Sequence, residues 1–172
     1  MTDSENENVS LLEPQIGAEK GTYITMLASA GTADEVVSFR TVPVWLKANC
    51  QKIRVNAVLD DASSTSYVSE EVAGALGVSV PYEPVAVQVL NDNIETFDTM
   101  PVELILESSD GAQVPFKALT CPRQITGNYK VVDWRHHQKR SPHLQECNFP
   151  EATADPLVDV LIGQDQVDLH YS

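Results

Sequence analysis

Apolar and polar side chains alternate with a period of two over residues 41–59, and the alternation breaks only at the polar Asn49-Cys50-Gln51. In the first run, Val42, Val44 and Leu46 fall on one face, and the same pattern resumes beyond the break. A β-strand places successive side chains on opposite faces, so two such runs joined by a short polar link predict a β-hairpin. A fold built on half-buried antiparallel strands is therefore expected.

Further strand and turn signals follow at short intervals. Strand patterns occupy residues 85–89, 100–106, 114–118 and 158–162, with a polar turn at 108–111. The polar residues 91–93 suit the tip of a hairpin between the first two runs. Ser69 before two glutamates predicts a capped short helix over residues 70–76, which Gly77 ends. Many short strands with one or two short helices and no βαβ rhythm predict an all-β fold, a closed barrel or sandwich.

The chain is strongly acidic, with 25 Asp and Glu against 11 Lys and Arg and a formal net charge of −14. A surface of this sign repels phosphate backbones and anionic lipid, so we expect neither direct nucleic-acid binding nor membrane binding. The polar N-terminus is unlike a signal peptide, and no apolar run approaches the roughly 18 residues of a membrane span. Three widely spaced cysteines do not suggest a disulfide framework. An intracellular, cytoplasmic location is expected.

Residues 1–36 contain seven acidic residues and one basic residue, without hydrophobic periodicity. This composition predicts a largely disordered N-terminal tail, in which residues 22–28 are a candidate edge strand. Residues 37–172 are expected to form the folded domain.

One apolar strand runs directly into acidic residues at Val58-Leu59-Asp60-Asp61, and the small residues Ala62-Ser63-Ser64 follow at once. A carboxyl group at the end of a buried strand loses part of its hydration, which makes Asp60 a candidate for acid–base chemistry. The same residues also suit a plain turn, because Asp and Ser are common in turns.

Three stretches of the chain resemble the retropepsin-like aspartic peptidases, and in particular the protease region of Pao/BEL-type retrotransposon polyproteins. They are FRTVPVWL (39–46), VNAVLDDASSTSYVSEEVAGALGV (55–78) and VDVLIGQD (158–165). A fourth stretch, DWRHHQKRSPHLQECNFPE (133–151), is similar to the linking region of the same family. The resemblance covers about residues 37–170.

The resemblance implies a retropepsin-like barrel that supplies one lobe per chain, with Asp60 as the catalytic aspartate. The residues it assigns to the support of the catalytic loop are Asp61, Ala62, Ser63, Ile162 and Gly163. The residues it assigns to a substrate-binding flap are Leu90, Asn91, Asp92, Asn93 and Ile94.

The resemblance also implies an activity. Aspartic peptidase chemistry needs two carboxyl groups that share one proton, and the chain has one such aspartate loop. We therefore expect a homodimer that cleaves peptide bonds of its own polyprotein without a metal or other cofactor, in the cytoplasm or in virus-like particles.

The family's Asp-Ser/Thr-Gly triplet is replaced here by Asp60-Asp61-Ala62. An ionised carboxylate accepts hydrogen bonds but donates none, unlike the Ser or Thr hydroxyl expected at position 61. Two alternatives follow: a domesticated, non-cleaving domain that acts as a dimeric protein-binding module, and a monomeric β-domain whose Asp loop has no catalytic role.

His136, His137, His143 and Cys147 lie within twelve residues and are potential zinc ligands. No Cys-x-x-Cys pair accompanies them, and Arg135, Lys139 and Arg140 place like charge beside any metal. We interpret this segment as a solvated basic loop and expect no metal site there.

Overall fold

The computed structural model describes residues 38–88, 93–122, 124–127, 130–151 and 153–171. The predicted tail (1–36) and its candidate edge strand (22–28) lie outside the described residues. The strands are β1 (Thr41–Ala48), β2 (Gln51–Leu59), β3 (Tyr67–Ser69), β4 (Glu83–Gln88), β5 (Ile94–Thr99), β6 (Pro101–Glu107), β7 (Gln113–Cys121) and β8 (Val158–Ile162). The helices are α1 (Glu70–Ala75), α2 (Trp134–Gln138) and two 3₁₀ helices, Pro142–Leu144 and Gln164–His170.

Six strands close into a barrel in the order β1-β2-β8-β3-β7-β6, and β4 pairs with β5 in a separate two-stranded sheet. The predicted all-β closed barrel with one or two short helices is confirmed. None of the helices in the described ranges is long and apolar enough to cross a membrane.

The hairpin predicted over residues 41–59 is present as β1 and β2, paired antiparallel from Thr41–Val58 to Ala48–Gln51. Its two-residue turn, Asn49-Cys50, has positive φ at both positions (47° and 62°). Such a turn matches the twist of the two strands it joins, which explains why the alternation resumes so soon.

Strand β8 lies between β2 and β3, parallel to the former and antiparallel to the latter. Leu59 and Ile162, the last residues of β2 and β8, are register partners. Parallel strands end at the same edge of a sheet, so Asp60 and Gly163 emerge side by side. This arrangement places two stretches about 100 residues apart in one loop cluster.

The barrel interior is filled by apolar side chains from nearly every strand, with Phe116, Leu46 and Val160 fully buried. Helix α1 packs against this core through Val72 and Ala73. The Ser69 side chain accepts a hydrogen bond from the backbone N–H of Val72, as predicted for an N-cap.

The hairpin expected around residues 91–93 has a different second arm from the one predicted. The sequence suggested that residues 100–106 pair with 85–89, whereas β4 pairs with β5, from Glu83–Thr99 to Gln88–Ile94. The run Pro101–Glu107 instead forms barrel strand β6, between β1 and β7. Strand β5 was missed because most of its side chains are polar, and its apolar Ile94 is 69% exposed.

Glu107 connects β6 to three other strands, β1, β2 and β7, at one end of the barrel. Its carboxylate accepts hydrogen bonds from the ammonium groups of Lys47 and Lys52 and from the side-chain amide of Gln113 (2.7 Å). Hydrogen bonds from Lys47 and then Lys52 lower the pKa of Glu107 to about 2. The ionised form is therefore favoured in the folded protein.

Glu107→Gln is expected to lower the free energy of unfolding at pH 7. A lowered carboxyl pKa stabilises the fold fully above the unfolded value of 4.5, and that stabilisation is lost as pH falls toward 2. The difference between wild type and variant in urea unfolding should therefore shrink between pH 5 and pH 2. Glu103→Gln, which removes an exposed ion pair with Lys117, is the control and should change little. A difference that is constant with pH would contradict the assignment.

Candidate active site

Asp60 follows β2 directly and is half-buried. Its backbone N–H donates to the carbonyl oxygen of Ile162 (3.0 Å), which extends the parallel pairing by one residue. Its Oδ1 accepts a hydrogen bond from the backbone N–H of Ala62 (2.9 Å). The tight turn of small residues thus orients the Asp60 carboxyl group.

Gly163 lies beneath this turn with no room for a side chain. A Cβ atom at this position would lie 2.7 Å from the carbonyl oxygen of Thr65 and 2.9 Å from that of Ser63. Its φ of −95° is ordinary, so close packing rather than backbone conformation requires glycine. The next residue, Gln164, donates its backbone N–H to the Ser63 carbonyl (2.8 Å), which ties the segment after β8 to the loop.

Ser66 and Asp165 form a second tie between the same two segments. The buried Ser66 hydroxyl donates to Asp165 Oδ1 (2.6 Å), and the Ser66 backbone N–H donates to Oδ2 (3.1 Å). The same hydroxyl accepts the backbone N–H of Gly163 (3.0 Å). Asp165 belongs to the stretch VDVLIGQD, but no role for it or for Ser66 was predicted.

Asp61 is bonded to a histidine that sequence reasoning missed. Its Oδ1 lies 2.7 Å from Nδ1 of His170, whose side chain is fully buried, whereas the Asp61 side chain is 64% exposed. The other ring nitrogen, Nε2, lies 3.0 Å from the carbonyl oxygen of Ile162. His170 is the last residue of a 3₁₀ helix 109 positions from Asp61, so no local pattern signals the contact.

The residues predicted to form the catalytic loop and its support are therefore brought together. They are Asp60, Asp61, Ala62, Ser63, Ile162 and Gly163. Of the predicted flap, Leu90, Asn91 and Asp92 lie outside the described residues, whereas Asn93 and Ile94 are exposed at the start of β5. The flap role of these five residues stays a prediction.

Asp159, a carboxyl group with a raised pKa, lies on β8 away from the Asp60 loop. Burial raises its pKa, an effect that the hydrogen bond from the Ser69 hydroxyl (3.1 Å) partly offsets. Since Ser69 also caps α1, this contact fastens the helix to the barrel. The position of Asp159 is therefore explained by its structural role between β8 and α1.

The His-rich segment forms α2 and the following 3₁₀ helix. The Gln138 side chain donates to three backbone carbonyls of the segment, and Trp134 stacks on Phe149 with ring centroids 5.9 Å apart. Across the described part of the chain, no three His, Cys, Asp or Glu side chains are grouped as a metal site would require.

Comparison with known proteins gives matches among solved structures. No family model matches the sequence, and no curated protein matches it. Among solved structures, the chain is similar to the retroviral protease-like domain of Ddi1 from Leishmania major, with 15% identity over 78% of this chain and 79% of that chain. The TM-score is 0.36. At this level the similarity adds no detail to the site described above.

Proposed function

We propose that this chain is a retropepsin-like aspartic endopeptidase that acts as a homodimer, with Asp60 of each protomer as the catalytic pair. The observation that carries the proposal is the Asp60 loop. A half-buried carboxyl group at the end of a barrel strand is oriented by a backbone N–H, and the loop is fastened over a glycine that tolerates no Cβ. The bond from the Ala62 N–H also suits a plain turn, so the proposal depends on the close packing over Gly163 and on the ties to the segment after β8.

The chemistry follows from bringing two such loops together across a two-fold axis. Two carboxyl groups about 3 Å apart cannot both ionise, so the pair shares one proton. The ionised Asp60 removes a proton from a water molecule, and the water oxygen attacks the carbonyl carbon of the peptide bond. The protonated Asp60 donates its proton to the carbonyl oxygen. When the tetrahedral intermediate collapses, the Asp60 that took the water proton donates it to the leaving nitrogen, the other Asp60 takes a proton back from a hydroxyl of the intermediate, and the C–N bond breaks.

The proposed substrate is an extended polypeptide, namely the retrotransposon polyprotein that contains the chain. An extended peptide can bond through its backbone like an added strand. The β4–β5 hairpin, which stands outside the barrel sheet, is the proposed flap over it. We propose the cytoplasm as the place of action.

The test is cleavage of a diverse peptide mixture from pH 4 to pH 8, read by mass spectrometry, with the molecular mass measured by sedimentation. We expect a dimer whose cleavage is inhibited by a peptide carrying a tetrahedral hydroxyl group in place of the scissile carbonyl, because such a group mimics the transition state. A metal chelator should have no effect. Cleavage that the chelator abolishes, or that the analogue does not inhibit, would refute the proposal.

A second candidate function is a dimeric protein-binding module without peptidase activity. The observation that favours it is Asp61, whose carboxylate cannot supply a hydroxyl proton across the dimer axis and is bonded to His170 of its own chain. A dimer that cleaves no peptide at any pH would support this module. A monomer at all concentrations would exclude both functions.

A further inference from the structure

His170 joins the end of the chain to the candidate catalytic loop through both ring nitrogens. The ring is buried, with Nδ1 at 2.7 Å from Asp61 Oδ1 and Nε2 at 3.0 Å from the Ile162 carbonyl oxygen. A buried ring held at two points has a single orientation. It is therefore a rigid connection rather than a chance surface contact.

The two acceptors determine where the protons lie. A carbonyl oxygen only accepts, so Nε2 must carry a hydrogen and donate it to Ile162. An ionised carboxylate also only accepts, so Nδ1 then carries a second hydrogen; a protonated carboxyl group would instead donate to Nδ1. In either form, one proton lies between His170 and Asp61. The contact is therefore a charge-assisted or acid–base hydrogen bond.

The same ring also reaches the backbone of Asp60. The Ile162 carbonyl that accepts from His170 Nε2 accepts from the Asp60 N–H as well (3.0 Å). Gln164, at the start of the helical segment that kinks at Gln166 and ends at His170, donates its side-chain amide to the Asp61 carbonyl oxygen (3.2 Å). Both ends of this segment therefore contact the Asp60-Asp61 turn.

The position of His170 is also fixed by Arg40, the residue before β1, which lies at the same open end of the β1–β2 hairpin as Leu59. The Arg40 guanidinium donates to the His170 carbonyl oxygen, and the Arg40 carbonyl accepts the backbone N–H of Leu59 (2.9 Å). Leu59 is the residue before Asp60. A closed chain of hydrogen bonds therefore runs from the strand end, through Arg40 and His170, back to the catalytic loop.

We propose that His170 is a positioning residue for the Asp60 loop, and that its bond to Asp61 fixes the loop within each protomer. This inference rests on the proposed peptidase function. In this chain the hydrogen bond between the His170 imidazole and the Asp61 carboxylate anchors the residue after Asp60. The retropepsin-like peptidases that the sequence resembles carry a Ser or Thr hydroxyl at this position. A loop displacement of about 1 Å at the reacting groups can cost roughly 10²-fold in rate, which sets the expected effect.

The two bonds can be separated by substitution. In a histidine site, an asparagine amide nitrogen reaches about the position of Nδ1, and a glutamine amide nitrogen about that of Nε2. His170→Asn therefore keeps a donor for Asp61, whereas His170→Gln keeps a donor for Ile162 only. We expect His170→Gln to lower kcat about 10²-fold with KM within twofold, and His170→Asn to stay within about fivefold of wild type. His143→Ala, at an exposed histidine, is the control and should leave both constants unchanged.

Asp61→Ala should lower kcat as much as His170→Gln does, because both substitutions remove the same hydrogen bond between residues 61 and 170. The double variant should therefore have about the same kcat as either single variant. Urea unfolding of each variant shows that the protein compared is folded. Equal kcat for the asparagine and glutamine variants, or additive losses in the double variant, would overturn the proposal.

A spectroscopic measurement separates this inference from the proposed function. In ¹⁵N-labelled protein, we expect a slowly exchanging proton signal shared by the His170 ring and Asp61, assigned with His170→Gln, that Asp61→Ala removes. A ring spectrum unchanged by Asp61→Ala would overturn the pairing even if peptides are cleaved. Failure of the wild type to cleave any peptide, with the ring signal present, would refute the peptidase proposal and leave the pairing as an anchor of the loop.

Discussion

Asp60→Asn is expected to lower peptide cleavage roughly 10³-fold, because the pair loses the group that activates water and transfers the proton. The fold should survive, since the asparagine carbonyl oxygen can still accept the Ala62 N–H that orients the side chain. The rate of cleavage of one identified peptide is the measurement, with the dimer confirmed by sedimentation. Glu146→Gln, which removes an exposed carboxylate in the segment after α2, is the matched control and should cleave at the wild-type rate.

Mixtures of wild type and Asp60→Asn test whether each site needs two chains. If both carboxyl groups of a pair are required, only dimers of two wild-type chains are active. The activity of refolded mixtures should then fall as the square of the wild-type fraction. A linear fall would mean that each chain carries a complete site, and the homodimer mechanism would be wrong.

Gly163→Ala is expected to cost about 3 kcal/mol of unfolding free energy and most of the peptidase activity. The added Cβ would lie 2.7 Å from the Thr65 carbonyl oxygen and 2.8 Å from its carbon. Because these are backbone atoms of the Asp60 loop, no side-chain rotation relieves the contact. The loop has to move away from β8, which breaks the hydrogen bond from Gly163 to Ser66. Urea unfolding and the cleavage assay measure the two effects.

Gly74→Ala is the matched control for this substitution. Gly74 lies in α1, and a Cβ atom added there would meet no atom within 4 Å. Alanine in a helix is favoured over glycine by roughly 0.5–1 kcal/mol, so this variant should be slightly more stable than wild type. Equal effects of the two substitutions would show that close packing at Gly163 is not what holds the loop.

Most strands with one buried face were predictable from the sequence. Strand β5 was missed because it buries few apolar side chains. Strands β1, β2, β6, β7 and β8 carry apolar side chains toward the barrel core, and their patterns marked them correctly. Strand β5 is mostly polar and contributes no residue to the hydrophobic core of the described part of the chain, so its alternation is weak. The partner of β4 was therefore assigned to residues 100–106 instead of 94–99. Hydrophobic periodicity arises where one face of a strand is buried. The β4–β5 hairpin lies outside the barrel sheet and buries few apolar side chains, so its pattern is weak.

The residues of the candidate site also fall into two groups, those predictable from the sequence and those that only the structure reveals. Asp60, its small neighbours and the apolar-Gly element at 162–163 were recognisable because they are contiguous short motifs. His170 and the Ser66–Asp165 contact were not, because each depends on a partner 99 to 109 residues away. Nothing in the residues around a lone histidine specifies a distant carboxylate as its partner.

The all-β class, the helix capped by Ser69 and Asp60 as a candidate for acid–base chemistry could be inferred from the sequence, since they follow from local periodicity, capping and short motifs. The strand order of the barrel, the need for glycine at position 163 and the partner of Asp61 depend on long-range contacts and required the structure. The physical reason is that β8 inserts between β2 and β3, a long-range pairing. That pairing brings the C-terminal residues against the Asp60 loop, where packing and buried hydrogen bonds act on residues that are far apart in sequence.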